Sequence, residues 1–333
     1  MTIFDDASVL ITGGTGSFGR SFAQAILERY QPRRVAVFSR DELKQFEMAH
    51  EPAFADEPRL RYFIGDVRDR DRLEMAMRDV DFVVHAAALK QVPAAEYNPF
   101  ECIHTNVLGA ENVVQAAIRS GVPRVIALST DKAANPINLY GASKLASDKI
   151  FIAANHLSGK DGTRFAVVRY GNVVGSRGSV IPFFLKRIRD GATSLPITDE
   201  RMTRFWITLQ QGVDFVLSSL DMMHGGEIFV PKIPSMKIVD LARCLAPDLP
   251  HDIVGIRPGE KLHEVMVPED DSRTTVELPD RYIIQPAFKW WSREAHNGNG
   301  AKAVTPGFCY ASNRNDDWLD AGRLQALLAT LDD

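Results

Sequence analysis

The sequence predicts an α/β fold, a doubly wound parallel sheet followed by a smaller, mixed α/β region. Three observations carry this. Short β-rich apolar runs alternate with helical periods from the N-terminus to about Val174, the rhythm of a parallel sheet with helices on both faces. The first of those runs breaks directly into a cluster of glycines and then into a helix. Beyond Val174 the alternation loosens into short segments such as G-E-I-F-V-P, the helical stretch Ile238 to Cys244 and turns such as R-P-G-E.

The first strand is expected near 8–12, because Val9 to Thr12 is the kind of apolar run that a parallel sheet buries on both faces. Gly13, Gly14, Gly16 and Gly19 follow, interleaved with Thr15, Ser17 and Phe18, and the period of Phe22, Ile26 and Leu27 marks a helix. Glycines let the backbone turn sharply and approach a pyrophosphate, while the helix N-terminus offers free N–H groups and a positive dipole end. Strand, glycine turn and helix together therefore point to a dinucleotide site.

The second strand, 34–39, ends at Ser39-Arg40-Asp41, with Lys44 one turn later. An NAD site carries an acid there for the ribose 2′-hydroxyl, whereas an arginine suits a 2′-phosphate. Arg40 and Lys44 make NADP the expected cofactor. Asp41 leaves NAD open, and a solvated surface charge is the plain alternative for Lys44. The third strand, 61–65, runs into Asp66-Val67, where a carboxylate can accept from an adenine amino group. The fourth, 81–86, runs into Ala86-Ala87-Ala88, small residues against which a dinucleotide can lie; apolar packing explains the alanines equally well. Lys90 follows within reach of substrate or cofactor, or faces solvent.

Pro99 to Ser120 reads as one long helix, in which Asn106 is a structural, helix-bending residue. A fifth strand is expected at 124–129, a helix over Gly141 to His156, and a sixth strand at 165–170. Residues 1–174 thus make a Rossmann-like dinucleotide domain and 175–333 mainly a substrate domain, with the segment about 205–222 returning to the first. Asn297-Gly298-Asn299-Gly300 has the composition of a flexible loop.

The chain has 333 residues, nearly half of them apolar, and a formal net charge of −4, so no basic excess points to nucleic acid. No apolar run reaches the roughly 18 residues of a membrane span, and no basic segment leads into an apolar signal stretch. Cys102, Cys244 and Cys309 are odd in number and far apart, the pattern of neither a disulfide framework nor a metal motif. A cytoplasmic protein without a bound metal is the expectation.

The chemistry is concentrated in S-T-D-K-A-A-N-P-I-N-L-Y-G-A-S-K, Ser129 to Lys144. Tyr140 and Lys144 form a Tyr-x-x-x-Lys pair, with Lys144 one helical turn from the phenol. A free phenol, with a pKa of about 10, is a poor base at neutrality, so it needs neighbouring positive charge. Asp131 and Lys132 supply two further proton-transfer groups, which hydride transfer alone does not require. Their presence points to a reaction in which oxidation is only the opening step; an ion pair in a surface turn is the structural alternative.

These motifs resemble the extended short-chain dehydrogenase/reductases that act on nucleotide sugars. Within that family, T-G-G-T-G-S-F-G-R, S-R-D-E-L-K-Q, G-D-V-R-D, H-A-A-A-L-K-Q-V-P, the Ser129–Lys144 run, R-Y-G-N-V, G-I-R-P-G-E-K-L-H-E and the terminal S-N-R-N-D-D-W-L are similar to the inverting 4,6-dehydratases of UDP-N-acetylglucosamine, the enzymes that open the route to pseudaminic acid. Retaining relatives tend to have Asp-Glu where this chain has Asp131-Lys132, and other close relatives tend to have methionine in place of Tyr140.

The resemblance implies a division of roles. Tyr140 takes the proton of the sugar's 4-hydroxyl, Lys144 also holds the nicotinamide ribose, and Thr130 bonds the 4-oxygen. Lys132 is the base for the hydrogen on carbon 5, for which its amine must be neutral, and Asp131 is the proton donor to the departing 6-hydroxyl. Asn172 meets the phosphates of the sugar nucleotide and Val173 touches the nicotinamide. Arg204 and Arg257 are expected on the pyrophosphate, whose oxygens a guanidinium fork matches, and Glu260 on a ribose hydroxyl or the uracil. Relatives pair the Pro99–Ser120 helix and the Leu145–Leu157 stretch with a second subunit, which implies a homo-oligomer, a dimer or a larger assembly up to a hexamer; burial within the monomer explains the same apolar pattern. An epimerase of the same family and a non-catalytic NADP sensor are the competing readings, and four reactive groups in one run argue against the sensor.

Overall fold

The first strand, β1 (Ser8–Thr12), is buried at every residue and leads through the glycine turn into α1 (Ser17–Arg29). The structure is a computed structural model that describes residues 2–176, 178–287, 296 and 300–329; most of the predicted Asn297–Gly300 loop lies outside the described residues. Two glycines make the turn possible. Gly13 has φ +66° and lies so close to the backbone after the fourth strand that an added Cβ would stand 2.8 Å from the Ala87 nitrogen. A Cβ on Gly19 would stand 2.5 Å from the Gly14 α-carbon, so α1 packs onto the turn only because both residues lack side chains.

The alternation then continues through β2 (Arg34–Ser39), α2 (Glu42–Ala49), β3 (Leu60–Ile64), α3 (Arg70–Ala76) and β4 (Phe82–His85). Asp41 and Asp69 cap α2 and α3 by accepting from the backbone N–H of Lys44 and Arg72. Short helices α4 (Val92–Tyr97) and α5 (Pro99–Ile103) follow, and then α6 (Gly109–Arg119), β5 (Arg124–Thr130), α7 (Leu139–Leu157) and β6 (Arg164–Tyr170). Strands β1 to β6 lie parallel in the order β3-β2-β1-β4-β5-β6, the doubly wound arrangement that the alternation predicts. Its topological switch falls between β1 and β4, where the crevice at the carboxyl ends of the strands takes ligands.

The long helix expected from Pro99 to Ser120 runs without a gap to Arg119 but changes its winding on the way. Between α5 and α6 the chain makes a π-helical segment, His104–Leu108. Asn106 sits in it with its side chain buried, accepting from the Leu89 N–H at 2.8 Å and donating to the Leu89 carbonyl at 2.9 Å and to Ser143 Oγ at 2.9 Å. These bonds fix the loop after β4 and helix α7 to one point, and the wider turn aims the amide there.

Beyond β6 come β7 (Asn172–Val173), α8 (Val180–Arg189), β8 (Leu195–Ile197), β9 (Thr203–Ile207), α9 (Leu209–Met222), β10 (Ile228–Pro231), β11 (Ser235–Lys237), α10 (Ile238–Leu245), β12 (His251–Ile253), β13 (Val265–Val267), β14 (Thr275–Glu277), β15 (Arg281–Ile284), β16 (Lys302–Ala303), β17 (Tyr310–Ala311) and α11 (Ala321–Ala329). Helix α9, which a Thr208–Gln211 capping box starts, packs on α1 and on β5 and β6. Strand β10 adds to β6 in parallel, and β15, β14 and β16 continue antiparallel, so the main sheet has ten strands. A separate core of Val174, Ile181, Phe184, Leu195, Ile197, Trp206, Leu241 and neighbours holds the small sheets. No helix among the described residues is long and apolar enough to cross a membrane.

Candidate active site

A cavity of about 590 Å³ follows the carboxyl ends of β1 to β6. At one end it is lined by Gly13, Thr15, Gly16, Ser17, Phe18 and Gly19, and along its floor by Ala86, Ala87 and Ala88. Ser39, Arg40, Lys44, Asp66 and Val67 line a second part, and Lys90, Thr130, Lys132, Tyr140, Lys144, Asn172 and Val173 the rest. The close approach of Gly13 to Ala87 keeps the turn free of side chains, and the chemistry around it fits a dinucleotide: small residues along the floor, N–H groups at the start of α1 and cations after β2.

Three details refine the expectation for this half. The Asp41 carboxylate is turned to its own helix, accepting from Lys44 N at 3.1 Å and pairing with Lys44 Nζ at 2.9 Å, and it does not line the cavity. Asp66 does line it, but its carboxylate is held by Arg68 at 2.8 Å, with Arg40 3.7 Å away. The Arg68 hydrogen bonds outweigh its partial burial and keep its pKa below the ordinary aspartate value. Thr15 and Ser39 hydroxyls meet at 2.9 Å across the turn.

The reacting groups gather where β5 ends. Thr130 caps the short 3-10 turn Asp131–Ala133 and donates to Asp131 Oδ1 at 2.8 Å. Asp131 is fully buried, and its Oδ2 has no hydrogen-bond partner among the described residues. Lys132 Nζ donates to Asp131 Oδ1 at 2.8 Å and to Asn172 Oδ1 at 2.9 Å, and it lies 3.4 Å from Glu264 Oε1. Burial alone pulls the Lys132 ammonium down, yet the Asp131 and Glu264 carboxylates outweigh it and hold its pKa above the usual lysine value. This departs from the sequence-based expectation of a lysine tuned toward neutrality.

Tyr140 and Lys144 project from the first turns of α7, which Asn138 caps through the Gly141 N–H. Burial pushes the Tyr140 phenol up to about 12, and Lys132, rather than the expected Lys144, is the cation that chiefly opposes this. Lys144 is itself buried and its pKa is lowered for that reason, partly offset by Asp148 one turn on. Asp148 is anchored by the fully buried Arg169, 3.2 Å away, and by the Ser129 hydroxyl at 2.8 Å.

The expected pyrophosphate contacts are placed differently. Arg204 is buried, and its fork donates to the carbonyls of Thr203, Lys261 and Leu262, with Nε 3.6 Å from Glu264; it braces the 261–264 segment instead of facing the cavity. Arg257 stands exposed, 3.9 Å from Glu260, and neither lines the cavity. Glu264 and Lys261 are charged neighbours of the Lys132–Asp131 pair that the sequence reading passed over, although both belong to G-I-R-P-G-E-K-L-H-E. The signal lay in that motif, where two further charges follow Glu260 at one and four positions.

Comparison with known proteins gives the same picture. Residues 9–286 match the family described as polysaccharide biosynthesis protein. The chain is 58% identical over 331 residues, 98% of each chain, to "UDP-N-acetylglucosamine 4,6-dehydratase (inverting)" of Campylobacter jejuni subsp. jejuni serotype O:2. It superposes on the X-ray structure of Pen from Bacillus thuringiensis with a TM-score of 0.89 and 36% identity, covering 99% of each chain. A more distant match is DesIV, a dTDP-glucose 4,6-dehydratase from Streptomyces venezuelae with NAD bound, at TM-score 0.68 and 25% identity over 77% of this chain and 86% of that one.

Proposed function

Because the chain belongs to the polysaccharide biosynthesis protein family, we propose that it dehydrates UDP-N-acetylglucosamine across carbons 5 and 6 and inverts carbon 5. The product is then UDP-2-acetamido-2,6-dideoxy-β-L-arabino-hexos-4-ulose, and the enzyme is a hydro-lyase. The observation that carries this is Lys132 Nζ held 2.8 Å from Asp131 in the cavity that also holds Tyr140. A nicotinamide dinucleotide, when bound, would supply the hydride chemistry that the reaction needs at carbons 4 and 6. Its holders are the Gly13–Gly19 turn for the pyrophosphate, Asp66 and Val67 for the adenine, Lys144 for the nicotinamide ribose and Val173 beside the ring.

The side chains account for the protons. Tyr140 takes the proton of the 4-hydroxyl, with Thr130 bonding the 4-oxygen. Once carbon 4 is a ketone, the hydrogen on carbon 5 is acidic. One proton moved from Lys132 Nζ to Asp131 Oδ1, along the 2.8 Å contact, makes a neutral amine and a carboxylic acid at once. Lys132 then takes the carbon-5 proton as Asp131 gives its proton to the departing 6-hydroxyl, and the pair is back in its starting form as water leaves. The proton gained by Tyr140 equals the one that carbon 5 takes up from the opposite face, so the cycle closes. Asn172 meets the sugar nucleotide's phosphates, and Lys90, Arg257 and Glu260 receive its outer parts. Arg204, with its fork engaged by the protein, supports this site from behind.

The test is direct. UDP-N-acetylglucosamine incubated with the protein and followed by mass spectrometry and proton NMR from the first minutes is expected to lose water and give the L-arabino sugar. A first-formed D-xylo sugar means a retaining dehydratase, and a product of unchanged mass means an epimerase; either overturns the proposal.

NADP is the proposed form of the cofactor, since Asp41 is engaged by its own helix while Arg40 and Lys44 line the cavity. Arg40→Ala is expected to narrow the preference for NADP over NAD by about 1–3 kcal/mol, the range of a charge-assisted hydrogen bond. Calorimetry on both proteins checks this, and equal affinities in the unaltered protein contradict it. We place the reaction at the first step toward pseudaminic acid, in the cytoplasm. A homo-oligomer is formed through the surface on which Tyr97, Phe100, Leu108 and Leu157 stand exposed.

A further inference from the structure

We propose that Glu264 is a positioning residue for the carbon-5 proton transfer and acts through Lys132; this rests on the reading of Lys132 as the base. The Glu264 side chain is buried, 2% exposed, and three cations converge on it: Lys132 at 3.4 Å, Arg204 at 3.6 Å and Lys261 at 3.8 Å. It is also held unusually firmly. Its N–H donates to Ser312 Oγ at 2.9 Å and its carbonyl accepts from Ser312 N at 2.8 Å, while Ser312 Oγ meets Thr203 Oγ1 at 2.6 Å beside Arg204. The S-N-R-N motif near the C-terminus thereby fixes a charge at the centre of the site.

The function of that charge follows from the geometry of an ammonium group. Lys132 Nζ has three hydrogens and three acceptors around it: Asp131, Asn172 and Glu264. When one proton passes to Asp131, Asn172 still accepts from Lys132 Nζ, and the Glu264 carboxylate 3.4 Å away holds the head group in place. Glu264 acts in a second way as an anion. The groups facing Lys132 are Asp131 from its own turn, Arg204 from β9, Tyr140 from α7 and Glu264 with Lys261 from the segment before β13. Asp131 and Glu264 are the two that favour the ammonium. Glu264 takes no part in the proton exchange between Lys132 and Asp131, so its charge sets how readily the Lys132 ammonium gives up a proton and, with it, the pH at which the pair can act. Lys261 ties the arrangement to the neighbouring Arg257–Glu260 segment. Its Nζ donates to the carbonyls of Asp131 and Ala134, and Asn138 donates to the Gly259 carbonyl at 2.7 Å.

The test is solvent-deuterium incorporation at carbon 5, measured by NMR against pH in the holoenzyme, for the unaltered protein, Glu264→Gln and Glu264→Asp. Glutamine keeps an acceptor for Lys132 and removes the charge, so the Lys132 pKa falls and the neutral amine forms at lower pH. The acid limb of the exchange profile is expected to move toward acid by about one pH unit or more. Aspartate, with its charge withdrawn by one methylene, is expected to move it in the same direction but less. Calorimetric affinity for UDP should stay within about threefold, because binding is left intact. A limb that stays in place while the rate falls uniformly means a merely structural role and overturns the proposal, as does a profile unchanged in both variants. If Glu264→Gln does not fold, an unmoved limb in Glu264→Asp overturns it alone. Lys132→Ala, run alongside, separates the two ideas: unaltered exchange in that variant removes Lys132 as the base, whereas lost exchange there with an unmoved limb in Glu264→Gln removes only Glu264.

Discussion

Lys132→Ala is expected to reduce deuterium incorporation at carbon 5 by about 10²–10⁴-fold, the usual contribution of a positioned acid or base. Binding of cofactor and of UDP-N-acetylglucosamine should persist. The side chain is 23% exposed and its bonds run to Asp131 and Asn172, so its removal leaves the cavity wall in place. The variant removes the base for carbon 5 and leaves the fully buried Asp131 without its cation. Oxidation at carbon 4 should continue, observed as absorbance of reduced cofactor in a single turnover, and elimination should stall. Exchange at the unaltered rate would remove Lys132 from the role.

Tyr140→Phe should fail one step earlier. The ring keeps its packing while the oxygen that takes the 4-hydroxyl proton is gone, so cofactor reduction in a single turnover is expected to fall by about 10²–10⁴-fold. The pKa pushed up to about 12 by burial sharpens this. The phenol depends on the positive charge of Lys132 to ionise, and Lys132→Ala should accordingly slow the oxidation as well, by a smaller factor than it slows the exchange. Substantial reduction of cofactor by Tyr140→Phe would contradict the assignment.

The parts of the molecule that were legible in the sequence are those with local causes. Strands β1 to β6 show as short apolar runs because a parallel sheet buries both faces, and the glycine turn shows because no other residue fits at Gly13 and Gly19. The π turn within the Pro99–Ser120 helix was legible only as a bend at Asn106. Its π geometry depends on bonds to Leu89 and Ser143, which are distant in sequence. At the site, Tyr140, Lys144 and Lys132 were identifiable from one run of residues. The charge state of Lys132 was not, because Glu264 reaches it from far along the chain and is fixed there by Ser312. Arg204 misled for the same reason: a guanidinium fork suits phosphate and backbone carbonyls equally, and only the folded chain chooses between them.

The ten-stranded sheet has a consequence for the growing polypeptide. Strand β6, seven residues with Phe165, Ala166, Val167 and Val168 fully buried, is covered on its outer edge by β10, and β10 by β15. Those covering strands are made much later. At ~5–20 residues per second, synthesis from the end of β6 to the end of β15 takes roughly 5–20 s. For that interval a nascent chain on the ribosome presents a long apolar strand edge open to pairing with its neighbours. A gene truncated after residue 174 would make that condition permanent and should yield insoluble product.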